Sequence, residues 1–542
     1  MMNLRWKIAL VLVVLVIGGA VLLFLWPDSA QTALEETRRD LRQQGFKIDL
    51  AEFDFSVSAE QSARATVLTN ADQVAPAHSG KSYARGTLLS DESLNLMKAA
   101  GADTAIVVWK QEKLPLQPDP YFLRPGYQPV EDLWAALREV FDESRAVEDA
   151  ACAAALSGPI RFHLNARHGS SMSLPHLGKL KSLAQMLGMR AVLELHDGYK
   201  VAAWTNVLAS TRLVTAWDPE PPEISQMVRH GCAGIVYNAT WEALQAGGWS
   251  DDRLARLQRE WESVDFLKGL PETEAFARAA HADTCQRERQ EPLPPSLSLT
   301  QMRLSPRYTW TGLIERWRRV RYRHHGSYED ERALLLYHRD RELQFRRAIQ
   351  ASTWLEMRQL PGITNSAPFR SNYSSRMQML LNMSQIRMGF ARQGRGLFGQ
   401  ATEAEARRRL LITAIALERY HGRHGAYPQS LQALVPELLQ YTPIDFMDGQ
   451  PLRYRLTEDG HFVLYSVGMD CADNGGEMRR PRRRELDYQG SPDFGAGQQG
   501  PDLVWPRPAS EAEVQAQKEE EARQAESNPC PPTLFFNSII IF

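Results

Sequence analysis

From Ile8 to Trp26 the chain reads IALVLVVLVIGGAVLLFLW, apolar without interruption. As a helix at ~1.5 Å per residue this run rises about 28 Å, close to the ~30 Å hydrocarbon core of a bilayer. Trp6 and Trp26 stand at its ends, where amphipathic rings favour the membrane interface, and Pro27 and Asp28 stop it. Arg5 and Lys7 flank its N-terminal side, so the positive-inside rule predicts residues 1–7 in the cytoplasm and residue 28 onward outside it. A cleaved signal peptide is the competing reading. Its apolar region is normally shorter, and no A-x-A site follows here. The pattern therefore predicts a single-pass transmembrane anchor over 1–27 in the inner (cytoplasmic) membrane, touching the lipid bilayer through Ile8–Trp26, with the bulk of the chain periplasmic.

Beyond the anchor the spacing of apolar residues turns helical. Ala33 to Gln44 reads as a charged helix ended by Gly45, and FKIDLAEFDF after it as extended or turn-like. Periodicity is weak over 60–125, and an amphipathic helix is predicted from Val130 to Ser144. Residues 28–160 are thus a membrane-proximal region of mixed helix and loop. Leu180, Leu183, Leu187, Ala191 and Leu195 recur at three- and four-residue spacing, one face of a helix. His196-Asp197-Gly198 breaks that helix, and Ala203, Val207, Ser210, Val214 and Trp217 make the next stripe. A third helix spans Glu223 to Gln245, Gly247-Gly248 stops it, and Ser250 caps a fourth. Helices joined by such short breaks lie antiparallel, so 161–285 is predicted as a helical-hairpin domain. A Pro-rich linker over 286–300 and a helical, basic region over 301–400 follow.

From Ala401 to Tyr420 a strong helix carries the stripe Leu410, Thr413 or Ala414, Leu417 and Tyr420. A Gly-x-Tyr-Pro turn ends it, a short helix follows at Leu431 and Leu434, and Asp448-Gly449-Gln450-Pro451 makes a turn. LRYRL and HFVLYSV then read as two strands joined at Asp459-Gly460, a strong hairpin signal. A loop, GMDCADNGGE, comes next.

This order resembles the globular domain of the major pseudopilin of bacterial type II secretion, and of type IV pilin-like proteins generally. The matching positions are Tyr420, Gly425, Tyr427, Pro428, Leu431, Leu434, Asp445, Gly449, Pro451, Tyr454, Phe462, Leu464, Tyr465, Ser466, Gly468 and Asp470, with Asp502-Leu503-Val504-Trp505 like the family's closing segment. The resemblance implies a small α+β domain over 401–506 whose acidic loop binds calcium. Carried over, Asp470, Asp473 and Asp502 are the metal candidates, with Asn474 and the Val467 carbonyl as further oxygens; calcium takes six to eight such hard ligands. An ordinary acidic turn is the plainer reading, and the inserted MRRPRRRELD places cations beside the loop.

Two departures limit what the resemblance implies. No Phe-Thr-x-x-Glu junction follows Gly18 and Gly19, and the module's helix lies far along the chain from the apolar run. Stacking into a pilus through the usual helical core is therefore not expected. The remainder, through Leu41–Phe55 and the helices from Leu174 to Leu254, resembles uncharacterised membrane-anchored bacterial proteins that end in the same module, a likeness that brings no activity with it.

A chain of 542 residues has room for several domains, and a net charge of −2 argues against bulk attraction to nucleic acid, so no nucleic acid partner is expected. RWRRVRYRHH, Arg316 to His325, interleaves base and aromatic, but on an extracytoplasmic helix it reads as a solvated face or a lipid-headgroup contact. The five cysteines are dispersed, with no C-x-x-C, which indicates no zinc site or dense disulfide framework. His163, His168 and His176 are irregularly spaced, and His281 with Cys285 offers two ligands on one helix face; loop and packing roles are favoured for all of them. His196 reads as a helix-end residue offsetting the dipole. No nucleophile elbow, H-E-x-x-H pattern or phosphate loop occurs. Residues 507–542 form a charged and then apolar tail whose last stretch, CPPTLFFNSIIIF, is too short to span a bilayer.

The fold class expected is mainly α: an N-terminal transmembrane helix, a helical-hairpin ectodomain, and a C-terminal small α+β pilin-like domain. The function expected is that of a membrane-anchored interaction or scaffold protein, non-enzymatic, with an envelope or secretion protein as partner. The alternative is an extracytoplasmic hydrolase, which a cleft gathering His163, His168 and His196 with acidic residues would favour.

Overall fold

The computed structural model describes residues 29–71, 98–113, 133–290, 322–363, 393–478 and 502–527. The apolar run Ile8–Trp26 and the tail from 528 lie outside the described residues. Among the described residues no helix is long and apolar enough to cross a membrane.

The architecture is mainly helical, with a small sheet region near the C-terminus. Helix α1 (Ser29–Gln43) ends at Gly45, which turns back so that the Phe46 amide reaches the Leu41 carbonyl. Helix α2 (Ala59–Asn70) starts in a capping box, Ser58 accepting from the Gln61 amide. Helix α3 (Leu133–Leu156) packs on α2 and on the bundle formed by α4 (His176–His196), α5 (Lys200–Thr215), α6 (Glu223–Leu244) and α7 (Asp251–Glu262). The apolar stripes predicted for α4 and α5 are its interior: Leu180, Leu187, Ala191, Ala203, Val207 and Val214 are all fully buried. The breaks fall where expected, and Ser250 caps α7 by accepting from the Arg253 amide.

Helix α8 (Leu270–Gln290) lies along α9 (Ser327–Ala348) in a long pair that α1 covers. Residues 286–290, expected as the start of the linker, are helical, because α8 continues to Gln290, and the rest of that linker lies outside the described residues. The last turn of α8 is held there by ion pairs, Arg287 to Asp283 and Arg289 to Glu331. A short helix, α10 (Trp354–Met357), follows.

Helix α11 (Gln393–His424) is longer than the predicted 401–420. It buries Leu410, Leu411, Ala414, Ile415 and Leu417 against α6, α7 and the sheet, within one core that runs on into the bundle. The predicted hairpin is present: β3 (Arg453–Leu456) pairs antiparallel with β4 (Phe462–Ser466), Arg453 opposite Tyr465 and Leu456 opposite Phe462. Gly460, at φ 80°, supplies the turn conformation that a side chain resists. Strand β5 (Leu503–Trp505) adds to the far edge of β4, giving the order β3-β4-β5.

A second, smaller sheet joins distant parts of the chain. Strands β1 (Lys98–Ala99) and β2 (Thr104–Ile106) form a hairpin, and β6 (Arg507–Pro508) runs parallel to β2. Residues 503–508 therefore close both sheets in succession. The charged tail is helical as α12 (Glu511–Ser527), opened by Ser510 and Glu513 in reciprocal hydrogen bonds.

Candidate functional site

The loop after β4 is shaped by its own carboxylates. Asp445 is fully buried and accepts from the Ser466 hydroxyl at 2.7 Å, the Val467 amide at 3.0 Å and the Met447 amide at 2.9 Å. Arg453 bridges Asp445 at 3.1 Å and Asp448 at 2.6 Å, which ties the 445–451 turn to the end of β4. Burial pushes the Asp445 carboxyl up, and these donors oppose the rise. Gly476 can only be glycine: at φ 77° an added Cβ would meet the Tyr465 ring at 2.8 Å.

The closing segment returns to this loop. Asp502 accepts from the Gly476 amide at 2.8 Å and the Asn474 amide at 3.1 Å. Its carboxyl is pushed up to about 6, chiefly by burial, with the charges of Asp473 and Asp470 adding to it. Asp470 accepts from the Ala472 amide at 3.1 Å. Asp473 is turned outward, onto the Tyr465 hydroxyl at 3.1 Å and the Arg453 guanidinium at 3.3 Å. The fold thus brings Asp470 and Asp502 to one loop across the intervening insert. Their crowding is the electrostatic condition a cation relieves, but Asp473 is committed to Arg453. Among the described residues no group of three or more His, Cys, Asp or Glu side chains is set to hold a metal ion.

The histidines of the helical region do not share a cleft. His163 and His168 are exposed, and His168 belongs to a 3-10 turn. His176 is buried and stacked on Phe162 at 4.2 Å. His196 stacks on Trp134 at 4.1 Å, and its Nδ1 lies 2.9 Å from the Trp109 carbonyl oxygen.

His281 does belong to a polar chain, one the sequence reading missed. Glu274 Oε2 lies 2.8 Å from His338 Nδ1, and His338 Nε2 lies 2.9 Å from His281 Nδ1. A carboxylate at one end fixes the tautomers. His338 donates from Nδ1 to Glu274, so its Nε2 accepts the Nδ1 proton of His281. Burial, with His338 adjacent, lowers His281 to about 3, so it stays neutral. Cys285, one turn on, has its thiol pushed up by burial and is no thiolate. Glu274 and His281 lie seven positions apart, one face of α8, and that spacing was the available signal; His338 sits 57 positions from His281 and left none. The four described cysteines are free.

A groove of about 770 Å³ runs between α7, α11 and the 436–444 segment. Tyr441 is 79% exposed and Ile444 47% exposed on its rim, and the Arg259 guanidinium is exposed beside them. Arg419 is drawn to Asp251 at 2.7 Å and to Gln258 at 3.0 Å, and the lining mixes apolar Ile412, Leu438 and Leu439 with Arg409, Glu262 and Glu437.

No family model matches this chain, and neither does any curated protein or solved structure.

Proposed function

We propose that the protein is a membrane-anchored, extracytoplasmic interaction protein, whose C-terminal pilin-like module offers a binding groove to a protein of the secretion machinery or cell envelope. The observation that carries this reading is the groove between α7 and α11. Apolar Ile412, Leu438 and Leu439, the exposed Tyr441 and Ile444, and several arginines in its lining are the composition of a protein-binding patch. The basic flank before the apolar run Ile8–Trp26 supports putting that groove outside the cytoplasm. The module's place in a helical body also supports a rigid recognition role over a pilus subunit.

A hydrolase is the second reading, and the oriented Glu274–His338–His281 chain is what favours it; against it, burial lowers His281 to about 3, far below the range of a general base at neutral pH. The nearby Cys285 thiol is also held protonated by burial.

Calcium in the loop is a further part of the proposal. Asp470 and Asp502 would hold the ion with carbonyl oxygens, and its role would be to brace the loop against β4.

The test of the function is photo-cross-linking in the intact envelope. A photoreactive residue at Tyr441 should give one discrete adduct, whereas one at Tyr199, which is exposed on α5's entry, should give none. Equal labelling at both positions, or none at Tyr441 in folded protein, overturns the groove. Protease added to spheroplasts should degrade the bulk of the chain, and full protection would refute the extracytoplasmic placement.

A further inference from the structure

The chain contains a single Asn-Gly pair, Asn474-Gly475, and it lies in the loop to which the closing segment returns. Asparagine is a thermolabile residue, and most so before glycine, which has no Cβ to shield its amide nitrogen from the neighbouring carboxamide. Gly475 leaves that approach open: a Cβ built on it would meet nothing within 4 Å. It is exposed to water, and Asn474 is half-buried beside it.

The backbone amides around this pair are all held. Asn474 N–H donates to Asp502 at 3.1 Å, Gly475 N–H to Asp473 Oδ1 at 2.9 Å, and Gly476 N–H to Asp502 at 2.8 Å. Nδ2 of Asn474 donates to the Ala472 carbonyl at 3.3 Å. The bond at Gly475 bears directly on the chemistry. Loss of side-chain ammonia needs the Gly475 nitrogen, freed of its proton, to reach Cγ of Asn474, and the Asp473 carboxylate instead holds that N–H in place. Hydrogen bonds to an ionised acceptor are the strong ones, so the reacting geometry is reached only when the loop opens locally.

Three Asp-Gly pairs offer the same ring closure, Asp197-Gly198, Asp448-Gly449 and Asp459-Gly460. Each of their carboxylates is paired with an arginine: Arg138, Arg453 and Arg507 in turn. An ionised carboxylate carries no good leaving group, whereas the Asn474 carboxamide carries ammonia.

We propose that Asn474 is a latent modification site, restrained by the hydrogen bonds that Asp473 and Asp502 accept. When the loop opens, the Gly475 nitrogen attacks Asn474 Cγ. The N–Cγ bond forms, the Cγ–Nδ2 bond breaks, and the Gly475 amide proton leaves with Nδ2 as ammonia. Water then opens the cyclic imide at either carbonyl, giving aspartate or isoaspartate. Water is consumed, ammonia is released, and nothing is oxidised or reduced. Either product keeps the loop from closing as before. Aspartate adds a carboxylate beside Asp502 and Asp473, where like charges repel. Isoaspartate lengthens the backbone between the two amides that grip Asp502. The modification therefore records that the closing segment has come loose.

The full chain in a non-ionic detergent, held at mildly alkaline pH and digested at intervals, reads the reaction by peptide mass. Asn474 should convert about tenfold or more faster in chain unfolded by guanidinium chloride than in folded protein, with aspartate and isoaspartate forms separating by chromatography. Asp502→Ala removes two of the hydrogen bonds and should raise the folded rate about tenfold or more. Asp473→Ala, at an exposed position, should raise it about threefold and serves if Asp502→Ala does not fold. Equal rates in folded and unfolded chain, or unchanged rates in the folded variants, would overturn the restraint. An Asn474 that persists in the unfolded chain would overturn the site itself.

Discussion

Trp241 of α6 donates its indole N–H to the backbone carbonyl of Pro506 at 3.0 Å, across 265 positions of sequence. The Tyr237 ring, one turn earlier, meets Trp505 edge-on at 5.1 Å. The bundle thus holds the closing segment by its backbone as well as by its side chains. Trp241→Phe keeps most of the buried area and strands the Pro506 carbonyl, and should cost about 1–3 kcal/mol. Trp241→Ala adds a cavity and should cost about 3–5 kcal/mol. Urea titration followed by circular dichroism reads both, and a Phe variant as stable as the parent would show that the bond contributes nothing.

Arg278 on α8 and Glu342 on α9 form a buried ion pair at 2.6 Å, their side chains 0% and 3% exposed. Breaking it on one side should be worse than removing it entirely. Arg278→Met should destabilise by about 3 kcal/mol, moderated because Arg346 still reaches Glu342. Adding Glu342→Leu should recover a large part of that loss. A double variant no more stable than Arg278→Met would contradict the pairing.

Stability should depend on pH from two sides. His230 and His281 are lowered to about 3 by burial, so the unfolded chain binds protons that the folded one refuses. Their contribution is full above the unfolded value of ~6.5 and is lost as pH falls from there toward 3. Glu418 is raised to about 7 and Glu223 to about 8, burial leading in both. Their contribution is full below ~4.5 and is lost as pH rises through 7 to 8. Melting temperature against pH should therefore rise and then fall. Glu418→Gln, which keeps an acceptor for the Tyr427 hydroxyl, should flatten the descent between about 4.5 and 7. An unchanged descent would remove Glu418 as its cause.

Calcium should raise the melting temperature of the full chain relative to chelator if Asp470 and Asp502 take the ion. The gain at a hundred times Kd is about 2.7 kcal/mol. Asp470→Ala should abolish it, and Asp473→Asn should not, because Asp473 engages Arg453. Identical melting with calcium and with chelator would end the calcium proposal and leave the fold untouched.

What the sequence revealed follows the range of its signals. Leu180, Leu187 and Leu195 recur at helical spacing, and that local pattern located α4 and its inner face. Asp459-Gly460 encodes a turn in two residues, so the hairpin itself was legible too, while its register came only with the structure. Asp502 could be placed near Asp470 only through the family resemblance, because nothing between them carries spacing information. The Glu274–His338–His281 chain needs α8 and α9 side by side, and no pattern on either helix names its neighbour. Arg453, read as a strand residue, proved to tie three carboxylates together.

The placement of β5 and β6 also constrains how this protein is made. Synthesis runs from the N-terminus, and the residues that complete both sheets emerge after the strands they pair with. Until Leu503–Pro508 leave the ribosome, β2 and β4 each present an open edge, and the Trp241 and Tyr237 faces wait without a partner. A chain cut before residue 502 is thus an unfinished molecule with two adhesive edges. Quality control that reads exposed edges would distinguish a truncated copy from a complete one without inspecting anything else.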